Sequence, residues 1–234
     1  MSPLTRDRYI QSGLLAPAKA YAFNDSYPSN PIFYQSNSNE SSQVTFSPGS
    51  KPIQLSHLGM LPKWRPIETF LEAVESFPDQ ILINLYGFLY PEAQKTIQSN
   101  SLLRKQIHLG RPGSYIGSHQ IAQQSDALLV IIGPRHMDNQ PSKFFEYLGH
   151  KKPYLILGPP SNPIQEIVNR LGIGVYANIS DPAAIREGIA QLVHKYPTYV
   201  NAFEVNKMEV EAYNDKNVAK HWCNCLNKML DSVA

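Results

Sequence analysis

The sequence predicts an α/β protein built on a doubly wound parallel sheet, closed by a helical tail. Three observations carry this expectation. From Lys51 onward, short apolar runs alternate with segments whose apolar residues recur three and four apart, the pattern of successive βαβ units. One run, Ala127 to Ile132, is apolar throughout, as a central parallel strand covered on both faces must be. Glycines close several of the apolar runs, at Gly59, Gly87, Gly110, Gly133 and Gly158, where strand turns toward helix.

In chain order, Asp7 to Leu15 reads as a short helix with Tyr9, Ile10 and Leu14 on its apolar side. Asp25 to Ser50 is crowded with serine, asparagine and proline and holds no lysine or arginine. Such a stretch buries too little apolar surface to offset its own ordering entropy and reads as a linker or irregular crossing segment, so 1–50 is expected to be the end of a preceding domain or such a crossing. Ile53 to Leu58 is a strand. Pro66 to Phe77 is a helix, with Ile67, Phe70, Leu71, Val74 and Phe77 inward and Glu68, Glu72 and Glu75 outward; Pro66 suits a first turn that needs no N–H. The alternation runs on through strands at Ile81–Tyr86, Gln106–Leu109, Ala127–Ile132, Tyr154–Gly158 and Gly174–Ala177. Helices fall at Pro91–Leu103, Tyr115–Gln124, Pro141–Gly149 and Pro163–Leu171, and a last one runs from a cap at Asp181 to about Lys195. Residues 51–195 thus form the sheet domain and 196–234 the closing helices. The final helix begins near Asn214 and carries Val218, Trp222, Cys225, Leu226 and Met229 on one side. Cys223 and Cys225, two apart on it, point about 200° apart, which puts one in the core and the other outside.

Composition removes several function classes. The 234 residues carry 21 basic and 19 acidic side chains, a net charge of +2, without the basic excess of a nucleic-acid binder. Hydrophobic residues make up 42%, enough for a sizeable core. Two cysteines exclude a disulfide scaffold. No apolar run reaches about 18 residues, so no transmembrane helix is expected, and the N-terminus lacks a signal-peptide core; a cytoplasmic protein is the expectation. The seven histidines are scattered, and His136 with Asp138 has no third ligand at a suitable spacing, so no metal is expected. There is no P-loop, and no Gly-x-Gly-x-x-Gly follows the first strand.

In open α/β sheets ligands lie beyond the carboxyl ends of the strands. Those ends carry Gly59 and Arg65, then Gly110-Arg111-Pro112-Gly113, then the segment Asp138-Asn-Gln-Pro-Ser-Lys-Phe-Phe-Glu146-Tyr-Leu-Gly-His-Lys-Lys-Pro153. This last segment has two acids eight apart, a helix and a proline-led strand. With Ser125-Asp126-Ala127-Leu128-Leu129-Val130 before it, and His57-Leu58-Gly59-Met60 with Arg65-Pro66 at the opening strand, it resembles the C-terminal, donor-binding domain of GT-B glycosyltransferases close to family 4. The resemblance spans roughly residues 51 to 195.

The resemblance implies a Rossmann-like domain that binds a nucleotide-diphosphate sugar, transfers the glycosyl unit with retention and needs no metal or other cofactor. Glu146 matches the acid that binds the two ribose hydroxyls, a bidentate, charge-assisted arrangement. Asp138 matches the acid near the sugar, and is an aspartate where the family most often carries glutamate. Ser142 and Lys143 fall at the helix start expected to hold the pyrophosphate. Arg65 matches the basic residue offered from the opposite loop. With Lys143 it would steady the charge that develops on the leaving diphosphate. Gly59 lets the backbone approach the ligand, and Gly110-Arg111-Pro112 matches the loop facing the nucleobase. The acceptor-binding N-terminal domain of such enzymes is not recognisable in the sequence, so the chain is expected to bind donor weakly and to transfer no sugar alone. Other readings stay open: Glu146 as a solvated helix residue, Arg65 as a helix-capping or ion-paired side chain, and the whole as a non-catalytic nucleotide-binding or interaction module. A receiver-like domain lacks the acidic cluster that Ser56-His57-Leu58-Gly59 would have to supply.

Overall fold

The computed structural model of the chain describes residues 3–12, 25–29, 51–111 and 113–231. Pro112, most of 1–50 and the positions from 13 to 15 expected in the first helix lie outside the described residues. Among the described residues the sheet has six strands: β1 (Ile53–Leu58), β2 (Ile81–Tyr86), β3 (Ile107–Gly110), β4 (Ala127–Ile131), β5 (Tyr154–Gly158) and β6 (Gly174–Asn178). All neighbouring pairs are parallel, in the order β3-β2-β1-β4-β5-β6. Chain order reverses between β1 and β4, so the doubly wound sheet expected from sequence is the sheet found, with its switch point there.

Burial explains the arrangement. β4 and β5 are buried at every position. Their side chains alternate between two cores, one on each face: Ala127, Leu129 and Ile131 join Leu155 and Leu157 in one, Leu128, Val130 and Ile132 join Tyr154 and Ile156 in the other. A strand with apolar partners on both sides has no polar face to alternate, which is why its sequence is a continuous apolar run. On the first face lie α2 (Glu68–Val74), α3 (Pro91–Ser99), α4 (Ser101–Gln106) and α8 (Pro182–His194). On the second lie α5 (Tyr115–Gln124), α6 (Ser142–Glu146) and α7 (Pro163–Leu171). α9 (Tyr196–Val205) joins the two: Tyr196 and Tyr199 belong to the first core and Phe203 to the second. The Tyr196 hydroxyl donates to the Asp126 carbonyl at 3.1 Å, just before β4 begins, which places α9 across the edge opposite the strand carboxyl ends.

Local differences from the sequence expectation have local causes. The single helix expected over Pro91–Leu103 is two, because the Asn100 side chain accepts hydrogen bonds from the Leu102 and Leu103 N–H groups at 2.9 and 3.2 Å and starts α4 afresh. Gln106 ends α4 rather than opening β3; its amide donates to the Val74 and Phe77 carbonyls at 3.1 and 2.9 Å. α2 begins at Glu68 because Ile67, at φ −121° and ψ 9°, lies outside helical geometry as its N-cap; the Ile67 N–H, which has no acceptor within the helix, is given to the Tyr90 hydroxyl, 3.1 Å away. The helix expected over Pro141–Gly149 is five residues of α6 followed by a 3-10 turn, Leu148–His150, closed by a left-handed Lys151. Asp181 caps α8 as expected, at 2.9 and 3.2 Å from the Ala183 and Ala184 N–H groups.

α1 spans Pro3–Gln11 and α10 Lys207–Glu211. α11, Asp215–Asp231, begins where its periodicity predicts but buries none of its residues fully. Cys223 is exposed and Cys225 half-buried, so neither is in the core: helical spacing separates the two thiols but cannot say how deep the face between them sits. Tyr27 is stitched to the turn before α11, its N–H donating to the Tyr213 carbonyl and its carbonyl accepting from the Asp215 N–H, both at 3.0 Å. No helix among the described residues is long and apolar enough to cross a membrane.

Candidate functional site: a crevice at the switch point

β1 and β4 pair at only two positions, Leu55 with Ala127 and Ser56 with Leu128. Beyond them the strands part. The Leu129 carbonyl, which the ladder no longer serves, receives a hydrogen bond from the buried His57 side chain instead, at 3.0 Å from Nδ1. The opening so formed is a crevice of about 320 Å³ whose lining includes His57, Gly59, Arg65, Ser142, Lys143 and Tyr147.

Two cations meet in it. Arg65 is half-buried; burial pulls its guanidinium below the ordinary value, and its Nε has no hydrogen-bond partner among the described residues. Its one recorded donation is a long contact of 3.4 Å to the Met60 carbonyl. Lys143 rests on Tyr147, its Nζ 3.1 Å from the hydroxyl and 5.3 Å from the ring centroid. Among the described residues neither cation enters an ion pair and no carboxylate lines the crevice. Two unneutralised charges in a partly dry cleft attract an anion strongly. α6 is only five residues long, so the expected contribution from its dipole is small and the side chains carry the charge.

Gly59 is held with φ near +150°, and the next turn presses on it. A Cβ on Gly87, itself at φ +127°, would stand 2.1 Å from the Gly59 oxygen. The Gly59 N–H donates to the Tyr86 carbonyl at 2.8 Å and the Gly87 N–H to the Gly110 carbonyl at 3.3 Å. The turns after β1, β2 and β3 are therefore packed backbone on backbone, and glycine at Gly59 and Gly87 is what allows it.

Of the residues expected from sequence, the crevice brings together Gly59, Arg65, Ser142 and Lys143. Asp138, Glu146, Gly110 and Arg111 do not line it, and Pro112 lies outside the described residues. Asp138 is half-buried in the loop before α6, next to Asn139, which does line the crevice. That loop is tied down by Asn162, whose side-chain oxygen caps α7 while its amide donates to the carbonyls of His136, Met137 and Asn139 at 3.3, 3.0 and 3.0 Å. Glu146 is half-buried. It faces the start of α5, where burial and then the Glu146 charge push the Tyr115 phenol up. Gly110 ends β3, two strands away from β1, with the Tyr86 ring against it.

Sequence reading missed His57 and Tyr147. Burial first, then the charges of Arg65 and Lys143, pull the His57 imidazole down to about 4. Its signal was a polar Ser56-His57 pair, both buried, at the carboxyl end of a strand that reads Ile-Gln-Leu-Ser-His-Leu, two residues before Gly59. Behind Tyr147 sits a pair of buried histidines: His119 Nδ1 is 2.9 Å from His150 Nε2, and His150 Nδ1 is 2.9 Å from the Gln123 side-chain oxygen. Burial, then His119, hold His150 down to about 3. Among the described residues no three His, Cys, Asp or Glu side chains are gathered to hold a metal ion.

No protein-family model matches the sequence, and no curated protein matches it. Solved structures do match. Sucrose-phosphate synthase from Thermosynechococcus elongatus is similar with a TM-score of 0.69 at 14% identity, over 99% of this chain and 58% of its own. Anabaena HepE in complex with UDP gives 0.73 at 13% identity, over 97% and 62%, and HepE is also solved with UDP-glucose. A glycosyltransferase from Rickettsia africae gives 0.69 at 10% identity, over 98% and 62%. The likeness reaches beyond residues 51 to 195 to almost the whole chain, and the chain spans about three-fifths of the length of these proteins. At such identities what is shared is the fold, a Rossmann-like sheet found in glycosyltransferase structures.

Proposed function

We propose that the chain is the donor-binding part of a glycosyltransferase, and that a nucleoside diphosphate sugar lies across the switch point with its diphosphate between Arg65 and Lys143. The observation that carries this reading is the crevice itself: two cations without ion-pair partners and no carboxylate among the described residues, at the strand ends where such sheets bind nucleotides. A doubly charged group matches two converging positive charges, one planar and forked, one a mobile point charge. The similarity to HepE, solved with UDP and with UDP-glucose, supports the ligand class. Within this reading Glu146 takes the ribose hydroxyls from the α5 side, Asp138 approaches the glycosyl unit, Gly59 lets the diphosphate near the backbone, and the Gly110-Arg111-Pro112 loop faces the base.

The chemistry asked of the site is to hold the leaving diphosphate while the glycosyl bond breaks. Arg65 and Lys143 stabilise charge that grows on its bridging oxygen, a contribution realised mainly in the transition state. An acceptor must be held in line with the donor, which contributes several kcal/mol through orientation alone. We assign that task to a further domain and expect no rapid transfer by residues 1–234 alone.

Calorimetry tests the assignment. Lys143→Ala and Arg65→Ala are each expected to weaken uridine or guanosine diphosphate binding by about 1.5–3 kcal/mol, roughly ten- to 150-fold, the range for hydrogen bonds to charged groups. Binding of the unphosphorylated nucleoside should change little. Glu146→Ala should lower affinity for the diphosphate and the nucleoside alike, by a similar factor. Unchanged diphosphate affinity in both cation variants would overturn the placement of the diphosphate.

A further inference from the structure

His57 is 6% exposed, and its ring lines the crevice. Its Nδ1 faces the Leu129 carbonyl oxygen at 3.0 Å. A carbonyl only accepts, so Nδ1 carries the hydrogen and Nε2 presents a lone pair. Nε2 is buried and has no hydrogen-bond partner among the described residues. Buried acceptors are satisfied in the great majority of cases, and one that is not, in a cleft, calls for a donor from elsewhere.

The surroundings say what that donor is. A Cβ placed on Gly59 would stand 3.8 Å from His57 Nε2, 3.4 Å from Lys143 Cε and 3.6 Å from Lys143 Cδ. The space above Gly59 is therefore bounded by the imidazole lone pair on one side and the lysine methylenes on the other. Glycine leaves that space empty, and Lys143, whose recorded hydrogen bond is to the Tyr147 hydroxyl, is the part free to swing. When Nζ moves to a phosphate, its arm leaves Nε2 open to the ligand. Burial with Arg65 and Lys143 nearby keeps the ring neutral at ordinary pH. A phosphate oxygen would set lone pair against lone pair there, whereas a hydroxyl brings a hydrogen.

We propose that His57 Nε2 accepts a hydrogen bond from a sugar hydroxyl of the ligand, which makes His57 a specificity-determining residue that reads hydroxyl against no hydroxyl at one position. This rests on the crevice being a nucleoside-diphosphate-sugar site. The hydroxyl belongs either to the ribose or to the glycosyl unit, and the same chemistry serves both.

Calorimetry with UDP-glucose, UDP, 2′-deoxy-UDP and pyrophosphate tests the inference. His57→Asn keeps a donor near the Nδ1 position and has nothing at Nε2; His57→Gln places an amide oxygen near Nε2. The expected result for His57→Asn is a five- to thirtyfold loss for UDP-glucose with pyrophosphate within twofold of the parent, and partial recovery in His57→Gln. A matching loss for UDP assigns the hydroxyl to the ribose; a loss confined to UDP-glucose assigns it to the glucosyl unit. On the unaltered protein, 2′-deoxy-UDP binding less tightly than UDP supports the ribose arm without any variant. UDP-glucose has no phosphate group that titrates near neutrality, so its binding to the parent at pH 7 should take up no proton. Uptake of about one proton would mean an imidazolium against phosphate, and would overturn the inference. So would an equal loss for pyrophosphate, or full affinity for UDP-glucose in a folded His57→Asn. If the parent binds none of the four probes, the reading of the crevice fails, and this inference with it.

Discussion

Gly87→Ala is expected to destabilise the chain by more than about 3 kcal/mol and to take ligand binding with it, the sum of a forbidden backbone conformation and an overlap that cannot relax. Gly87 sits at φ +127°, where a side chain is strained whatever the space around it. Its added methyl would stand 2.1 Å from the Gly59 oxygen and 2.8 Å from the Gly59 carbonyl carbon. Both are backbone atoms, so relief requires β1 and β2 to part at their carboxyl ends. Gly59 would move first, and with it the space that Lys143 and His57 share. Gly113→Ala is the control: a Cβ there meets nothing within 4 Å, and its effect should stay within about 0.5 kcal/mol, as for ordinary surface changes. Urea unfolding of the three proteins, alongside diphosphate titration, reads both effects. A Gly87→Ala protein within 1 kcal/mol of the parent, by the cited stability scale, would show that the turns are not locked together as described.

The second large effect is on pH. His57 and His150 are buried and neutral, pulled from 6.5 down to about 4 and about 3. Above pH 6.5 neither the folded nor the unfolded chain binds these protons, so they leave stability unchanged there. As pH falls below 6.5 the unfolded chain takes them up and the folded chain does not until it reaches the lowered values. Stability therefore drops throughout that window, by about 1.4 kcal/mol per pH unit for each histidine, and by about 4 kcal/mol in all by pH 5. His119, also lowered by burial, pulls the same way. Unfolding free energies at pH 7 and pH 5 check this. His150→Gln should remove its own share, about 1.4 kcal/mol per pH unit; a flat profile between the two pH values would mean that the rings titrate as if exposed.

Most of the sheet was legible because its signals are local. Ala127–Ile131 and Tyr154–Leu157 are apolar at every position because both faces are covered, and the helix stripes follow from spacing alone. The boundaries that moved depended on single side chains choosing among neighbours: Asn100 capping a new helix, Gln106 giving its amide to the Val74 and Phe77 carbonyls. The crevice was half legible. Arg65 and Lys143 could be placed at strand ends, and they do face one cavity. His57 could not be read, because its role depends on where β1 and β4 cease to pair, a register between residues 72 apart in sequence. A histidine in a strand gives no hint of whether the carbonyl it meets has been left over. Glu146 could be placed on its helix, but not its depth: it is half-buried, and burial depends on a neighbouring element that spacing within its own helix does not report.

Under the proposed nucleotide-binding reading, Asn162 sets how fast ligands come and go. One buried amide holds three carbonyls of the loop before α6, those of His136, Met137 and Asn139, so that loop has little room to fold over an occupant. Entry then proceeds by diffusion into an already assembled mouth, with little waiting for rearrangement. Differences among nucleotides should accordingly appear in their departure rates, while arrival stays nearly constant and slows with added salt as the pull of Arg65 and Lys143 is screened.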